Sequence, residues 1–543
     1  MNLDFDNTEH TEFTADVCII GGGAAGFTCA LTLLESGLKV ILLESGGLKE
    51  DGPGNKLNEA EIIGDFHLGI HEGRERAVGG TTTKWGGQAY PFLPEDFSER
   101  PNLGISGWPL TYEELLPYYK RAEMVVGTDH ELPYDYQPWE ERKIETGGLA
   151  KDKLRLLVTK WSRIPNFRLL HGNTLSQSEN VRVLYHASVV EIVPNANQDS
   201  VREVTICSLQ GKRGKVKARQ FIAAGGALEA SRLFLASRQF HPAGLGNEND
   251  LVGRYIQDHI SAVVGEIKPT SRKHFHEVFD PFYRNGFKYL PRILLEPAHA
   301  KSQHTLHASG QIVFTEGSES TLNLLKGTLR KLKKKEFPKF GEIKTLVNPV
   351  QWVLMAKSLY RWRVENRGIS AEDTPVFLEI LSEQLPQPES RVTLSDQKDF
   401  MGMPRLKLDW RIPALTRETI VRSAHTFREE FARSGLGTLH LEAWLDDPTD
   451  KSHLKDVFHQ AGGLIMGRSE QEGVVDSNCK VFGVDNLYVA SSAVFPTSSF
   501  ANTTLTIMAL SVRLSDRIAS ALAEDGTATV EQETTKLGAG KFA

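Results

Sequence analysis

The sequence predicts an α/β lobe of Rossmann type joined to an α+β lobe built on an antiparallel sheet. Three observations carry this. The chain has 543 residues, more than the ~250–300 at which a single core stops growing, so two lobes are expected. Residues 16–44 read as strand, glycine turn, helix and strand, the order of a βαβ unit. Residues 260–440 differ in composition, with alternating apolar runs set among long polar loops, the pattern of half-buried strands.

The elements follow in chain order. DVCII at 16–20 is a short β-branched run ending at glycine, which suits a strand buried on both faces. GGGAAG follows, then FTCALTLLESG at 27–37, a helix stopped by Gly37. Residues 39–43 form the second strand, closed by Glu44. Residues 94–170 are mixed and partly helical. Runs at 181–184, 189–193, 201–208 and 214–222 alternate and are expected to form a small meander. VFLEI at 376–380 and RVTL at 391–394 are expected in the antiparallel sheet of the second lobe. An apolar helix is expected over 505–519, with a polar frayed tail after Glu524.

Composition excludes several classes. Lys and Arg number 63 against 69 Asp and Glu, so no basic excess exists to neutralise nucleic-acid phosphates. Four scattered cysteines without a CxxC pair exclude a disulfide scaffold, a zinc ribbon or an iron–sulfur protein. The acidic start lacks an apolar h-region and no run of 18 apolar residues occurs. A cytoplasmic chain without a transmembrane segment is therefore expected. The basic run KGTLRKLKKK at 326–335 reads as a solvated face. His274, His276, His299, His304 and His307 lack ligand spacing and read as surface histidines, and no metal site is expected. Asp258 and His259 read as a structural turn at the lobe boundary.

The strongest chemical signal is the glycine turn in its strand–turn–helix context. Gly21 permits the tight turn, Gly23 lets the backbone approach a pyrophosphate, and Gly26 allows close helix–strand packing. The free N–H groups at the helix start suit phosphate oxygens. Glu44 would accept hydrogen bonds from the adenosine ribose, against a 2′-phosphate. This unit alone leaves NAD and FAD both open. A second loop, VGGTTTKWGG at 78–87, brings Gly79, Gly80, Thr81, Trp85, Gly86 and Gly87, bare backbone suited to another part of a large cofactor. Taken alone, His459 is a loop histidine and Asn502 a helix cap.

The chain resembles the glucose–methanol–choline (GMC) family of FAD oxidoreductases. The resemblance rests on IIGGGAAG with Glu44, the VGGTTTKWGG loop, FIAAGGALEASRLFL at 221–235, HQAGGLIMG at 459–467 and the segment 474–516; ESRVTLS and LDW (408–410) match more loosely. It is nearest the sugar-oxidising branch of pyranose oxidases and glucoside 3-dehydrogenases. The resemblance implies FAD, the GMC fold and a catalytic His459–Asn502 pair. It also implies cofactor contacts from Ala25, Val189, Ala224, Ser491 and Thr503. His459 would act as base toward a sugar hydroxyl and flavin N5 would take the hydride. The helix behind Asn502 would offer its positive end to the reduced flavin. It implies an FAD-binding domain over 14–110, 180–260 and 445–543, and a substrate domain over 111–179 and 261–444. Oxygen or another acceptor would reoxidise the flavin. Three positions depart from the family pattern. Lys84 stands where some members link FAD through histidine, so non-covalent FAD is expected. Gly463 stands for threonine, which is expected to loosen the turn after His459. Thr503 stands for proline. A non-redox lyase and an oxidoreductase for a non-sugar alcohol are the alternatives.

Overall fold

A computed structural model describes residues 2–49, 52–149, 152–314, 360, 366 and 374–539. The basic run at 326–335 lies outside the described residues. The segment Glu12–Ile20 alternates exposed and buried up to Ala15 and is mostly buried from there on. Its apolar end is flanked by parallel partners on both sides, Val40–Leu43 and Arg213–Ala223. The eight-stranded sheet runs in the order 2–4, 181–185, 40–43, 12–20, 213–223, 201–207, 188–194, with Leu487–Val489 parallel beside Arg213–Ala223. Helix Ala24–Thr32 starts directly off the central strand.

The expected meander is shorter than the sequence suggested. Val181–Tyr185 pairs in parallel with Val40–Leu43 and belongs to the nucleotide half of the sheet. The chain does not reverse after it: His186 N–H donates to Gly46 O at 3.1 Å and Ala187 N–H to Glu44 O at 2.9 Å. Those bonds carry it past the end of the neighbouring strand. Only 188–194, 201–207 and 213–223 form an antiparallel meander.

Among the described residues the second sheet has nine strands, all antiparallel, in the order 437–441, 260–269, 376–382, 308–314, 287–295, 154–161, 88–89, with 282–284 and 455–456 on its flanks. Helix Ala414–Ser434 covers one face; a Cβ on Gly310 would lie 2.7 Å from Phe427, so helix and sheet touch there without a spacer. Arg391–Lys398 is not in this sheet. It pairs with Pro404–Trp410, which pairs in parallel with Ala60–Gly64. Buried side chains turn the chain out of the large sheet: Glu383 takes both nitrogens of Arg100 at 2.6 and 2.7 Å, and Gln384 Oε1 accepts from Trp410 Nε1 at 3.0 Å.

The closing helix, Thr503–Ala539, is longer than expected and continues through the tail that the sequence suggested was frayed. It packs on Tyr112–Val126, where Tyr119 and Thr506 hydroxyls meet at 2.9 Å. Two of the histidines expected at the surface are buried instead. His276 meets Asp280 at 2.8 Å and His307 meets Asp96 at 2.7 Å, because each imidazole finds a carboxylate that satisfies it away from water. Among the described residues no helix is long and apolar enough to cross a membrane.

Candidate active site

The strand Glu12–Ile20 ends at the glycine turn, and the turn opens onto a cavity of about 590 Å³. Gly21 has φ +115°, and a Cβ there would lie 2.6 Å from Ala224 O, so only glycine makes this corner. A Cβ on Gly26 would sit 1.9 Å from Gly21 O; its absence lets the helix lie close against the strand. A Cβ on Gly23 would meet no protein atom within 4 Å. Gly23 therefore bares the helix start to the cavity, as a phosphate cradle requires. Glu44 closes the next strand. Its Oε2 accepts from Gly22 N–H and its Oε1 from Gly46 N–H, both at 2.8 Å. Burial pushes its carboxyl up to about 7, against the lowering effect of those N–H groups and Arg76.

The cavity wall includes Gly21, Gly23, Ala25, Glu44, Gly80, Thr81, Trp85, Gly86, Val189, Ala224, Ser491, Thr503 and His459. It does not include Gly26, Gly79, Gly87 or Asn502. Gly79 works from behind, its N–H donating to Gly22 O at 2.8 Å, which ties the two glycine loops together. Gly80, φ +53°, would place a Cβ 2.7 Å from Gly23 Cα. Gly87 packs on Pro165 and Ser162. Trp85 donates through Nε1 to Pro165 O at 2.7 Å. Lys84 lies on the wall with its Nζ 2.6 Å from Glu75.

Sequence reasoning missed a charged cluster on the same wall. Glu229 is gripped by Arg74 at 2.9 Å, Arg76 at 2.8 Å and Arg232 at 3.3 Å. Burial alone would raise its carboxyl, but the three guanidiniums hold it far below the usual range. Arg76 also reaches Ser45 Oγ at 3.0 Å, which brings positive charge beside Glu44.

At the other end His459 and Asn502 meet, Asn502 Nδ2 lying 3.2 Å from His459 Nε2. The helix cap expected of Asn502 is not made: its Oδ1 is buried without a hydrogen-bond partner among the described residues. Asp258 and His259, expected to be a plain turn, face this pair. One Asp258 carboxylate accepts the main-chain N–H of His259 at 2.7 Å, of Val457 at 3.3 Å and of His459 at 3.0 Å. His259 Nδ1 lies 3.1 Å from His459 Nδ1, and His259 Nε2 lies 2.9 Å from Ser498 O. Phe458, between the clamped residues, is held at φ +64°. Burial lowers the His459 imidazole below its usual range, and Arg292 adds to this, while Asp258 opposes it. Arg292 is itself buried on the strand Phe287–Leu295, donating to Gln311 Oε1 at 2.6 Å. Nothing in the local sequence flags Asp258, His259 or Arg292 as site residues, since the first two precede the strand Ile260–Pro269 and the third lies on Phe287–Leu295, all far along the chain from His459.

The expected loosening after His459 does not occur. Gly463 N–H donates to Arg254 O at 2.9 Å and its carbonyl accepts from Gly253 N–H at 2.7 Å. At φ +98° a Cβ would lie 2.2 Å from Ser231 Oγ, so glycine is what this packing admits. Behind Asp258, His67 stands 3.2 Å from it and 3.6 Å from Asp456. These three lie within reach of one cation by distance, and the Asp456 oxygens also accept Leu68 and Gly69 N–H.

Residues 386–511 match the family model described as GMC oxidoreductase, and residues 16–243 the one described as FAD dependent oxidoreductase. Similar proteins include the fructose dehydrogenase large subunit of Gluconobacter japonicus, 23% identical over 93% of this chain and 98% of that one. Another is the 2-methyl-1,2-propanediol dehydrogenase of Mycolicibacterium austroafricanum, 24% identical over 96% and 97%. Among solved structures, a formate oxidase of Aspergillus oryzae RIB40 is similar in fold, with a TM-score of 0.58 at 16% identity over 95% of this chain and 100% of that one.

Proposed function

Since the chain belongs to the GMC family of FAD-dependent oxidoreductases, which act on CH–OH donors, we propose that it oxidises a ring hydroxyl of a sugar or glycoside to a ketone, with His459 as the base. The observation that carries the reading is the 3.2 Å meeting of His459 Nε2 and Asn502 Nδ2 beside a cavity that begins at the phosphate cradle. A hydroxyl that displaces this contact would give its proton to Nε2 while its oxygen accepts from Nδ2–H. The base strengthens electron release from the carbinol carbon as the proton leaves. FAD, when bound, supplies the acceptor for the hydride.

The residues present fit FAD. Gly21, Gly23 and Ala25 offer main-chain N–H groups and room for its pyrophosphate, and Glu44 offers carboxylate oxygens for the ribose. Gly80, Thr81, Trp85, Gly86, Ser491 and Thr503 would hold the remainder, with Val189 and Ala224 toward the adenine half. With Lys84 in place of a linking histidine and engaged by Glu75, this loop supports non-covalent attachment. Oxygen or another acceptor closes the cycle. Four buried, unpaired cysteines suit a reducing compartment such as the cytoplasm. Fructose dehydrogenase among the similar proteins supports the sugar class. The 2-methyl-1,2-propanediol dehydrogenase favours a second reading, a non-sugar alcohol.

The test is anaerobic mixing of the holoprotein with monosaccharides, glycosides and simple diols. Bleaching of the oxidised flavin band by a sugar is expected. Bleaching by diols alone selects the second reading, and no bleaching by any donor overturns both.

A further inference from the structure

Two imidazoles facing each other nitrogen to nitrogen cannot both donate and cannot both accept, so their proton positions are linked. The chain of contacts fixes which is which. Ser498 O is a main-chain carbonyl and can only accept, so the bond at 2.9 Å places a proton on His259 Nε2. His259 is fully buried, and burial together with the neighbouring His459 depresses its protonation to about 3. It is neutral at ordinary pH, with one ring proton. Its Nδ1 is therefore a lone pair, and the contact at 3.1 Å needs its proton from His459 Nδ1.

We propose that His259 is a positioning residue that holds neutral His459 in the tautomer protonated on Nδ1, leaving the Nε2 lone pair toward Asn502 and the cavity. The inference rests on the reading of His459 as the base, and it deepens that reading by saying how the basic nitrogen is selected. Two further contacts agree. Asn502 presents its donor Nδ2, not its oxygen, to His459 Nε2, as a lone pair there requires. Asp258 pins the main-chain N–H of both histidines, so the rings cannot slide apart. The anchoring carbonyl lies in the loop that also delivers Asn502. That loop is tied by Ser498 N–H to Gln257 Oε1 at 3.0 Å and by Ser499 Oγ to Asp96 at 2.7 Å. An imidazole whose second nitrogen is so bonded has its tautomer chosen before substrate arrives.

The test has two arms on the FAD-loaded full chain. In the first, ¹⁵N-histidine-labelled protein is read by NMR at neutral pH, with His459 assigned by the resonances lost in His459→Gln. A proton-bearing Nδ1 and a proton-free Nε2 are expected for His459; the reverse overturns the proposal. This arm needs no altered His259. In the second, anaerobic flavin reduction is followed with the donor that bleaches wild type fastest. His259→Asn places an amide oxygen near the position of Nδ1 and can still accept; His259→Leu cannot. The leucine variant is expected to reduce flavin about tenfold or more slowly, with the apparent substrate affinity kept within about threefold, and asparagine to recover most of the rate. Equal rates in the two variants, or a leucine variant as fast as wild type, overturn it. Unchanged reduction in His459→Ala would instead sink the base reading, a result the NMR arm does not depend on.

Discussion

Gly463 illustrates how one residue type can be dictated by packing. Its φ of +98°, and the 2.2 Å that would separate a Cβ there from Ser231 Oγ, leave no place for the threonine of the family pattern. Gly463→Thr should destabilise the protein by about 2 kcal/mol or more, as overpacking combined with a left-handed backbone does. A denaturation midpoint equal to wild type would contradict this. His459 makes a pH prediction. Burial lowers its protonation below the usual 6.5, Arg292 lowers it further and Asp258 pulls it back. The base works only when neutral, so flavin reduction should rise with pH along a limb centred below 6.5 and stay level above it. An ascending limb centred above 6.5 would contradict the environment described. At this scale the sequence pointed to the histidine and the asparagine only through the family resemblance. It could not reveal His259, because the two imidazoles meet across 200 positions and nothing local to either one records the other.

Among the elements, the strand–turn–helix from Glu12 to Thr32 was the most legible, since Gly26 answers a purely local demand, the close approach to Gly21 O. Gly26→Ala makes that demand measurable. With a Cβ 1.9 Å from Gly21 O, the helix must move off the strand, and FAD occupancy of the purified protein should fall severalfold or the protein should fail to fold. Full occupancy in a stable Gly26→Ala protein would contradict the packing. Strand existence was also readable from alternation, but strand partnership was not. Val181–Tyr185 and Arg391–Lys398 alternate like their neighbours, yet the first pairs with Val40–Leu43 in the other half of the same sheet and the second joins a separate sheet. What decides is where buried side chains such as Glu383 and Gln384 turn the chain, and these act through distant partners, Arg100 and Trp410.

On the scale of the whole molecule, the eight-stranded sheet, the closing helix and a turn beside the nine-stranded sheet contribute to one cavity wall. The cradle comes from the eight-stranded sheet, Thr503 from the helix, and His459 from a turn whose neighbour Asp456 pairs with the nine-stranded sheet. A ligand bound there should therefore stabilise the entire fold. Removing FAD should lower the melting temperature, and adding it back should raise it with concentration, about 2.7 kcal/mol being gained at a hundred times the dissociation constant. A melting temperature indifferent to FAD would contradict a cofactor held by all three parts. The central claim, that His459 takes the substrate proton, is tested most directly by anaerobic stopped-flow reduction of His459→Ala loaded with FAD. A loss of about 10²-fold or more in the reduction rate with the flavin still bound is predicted; reduction at the wild-type rate would contradict it.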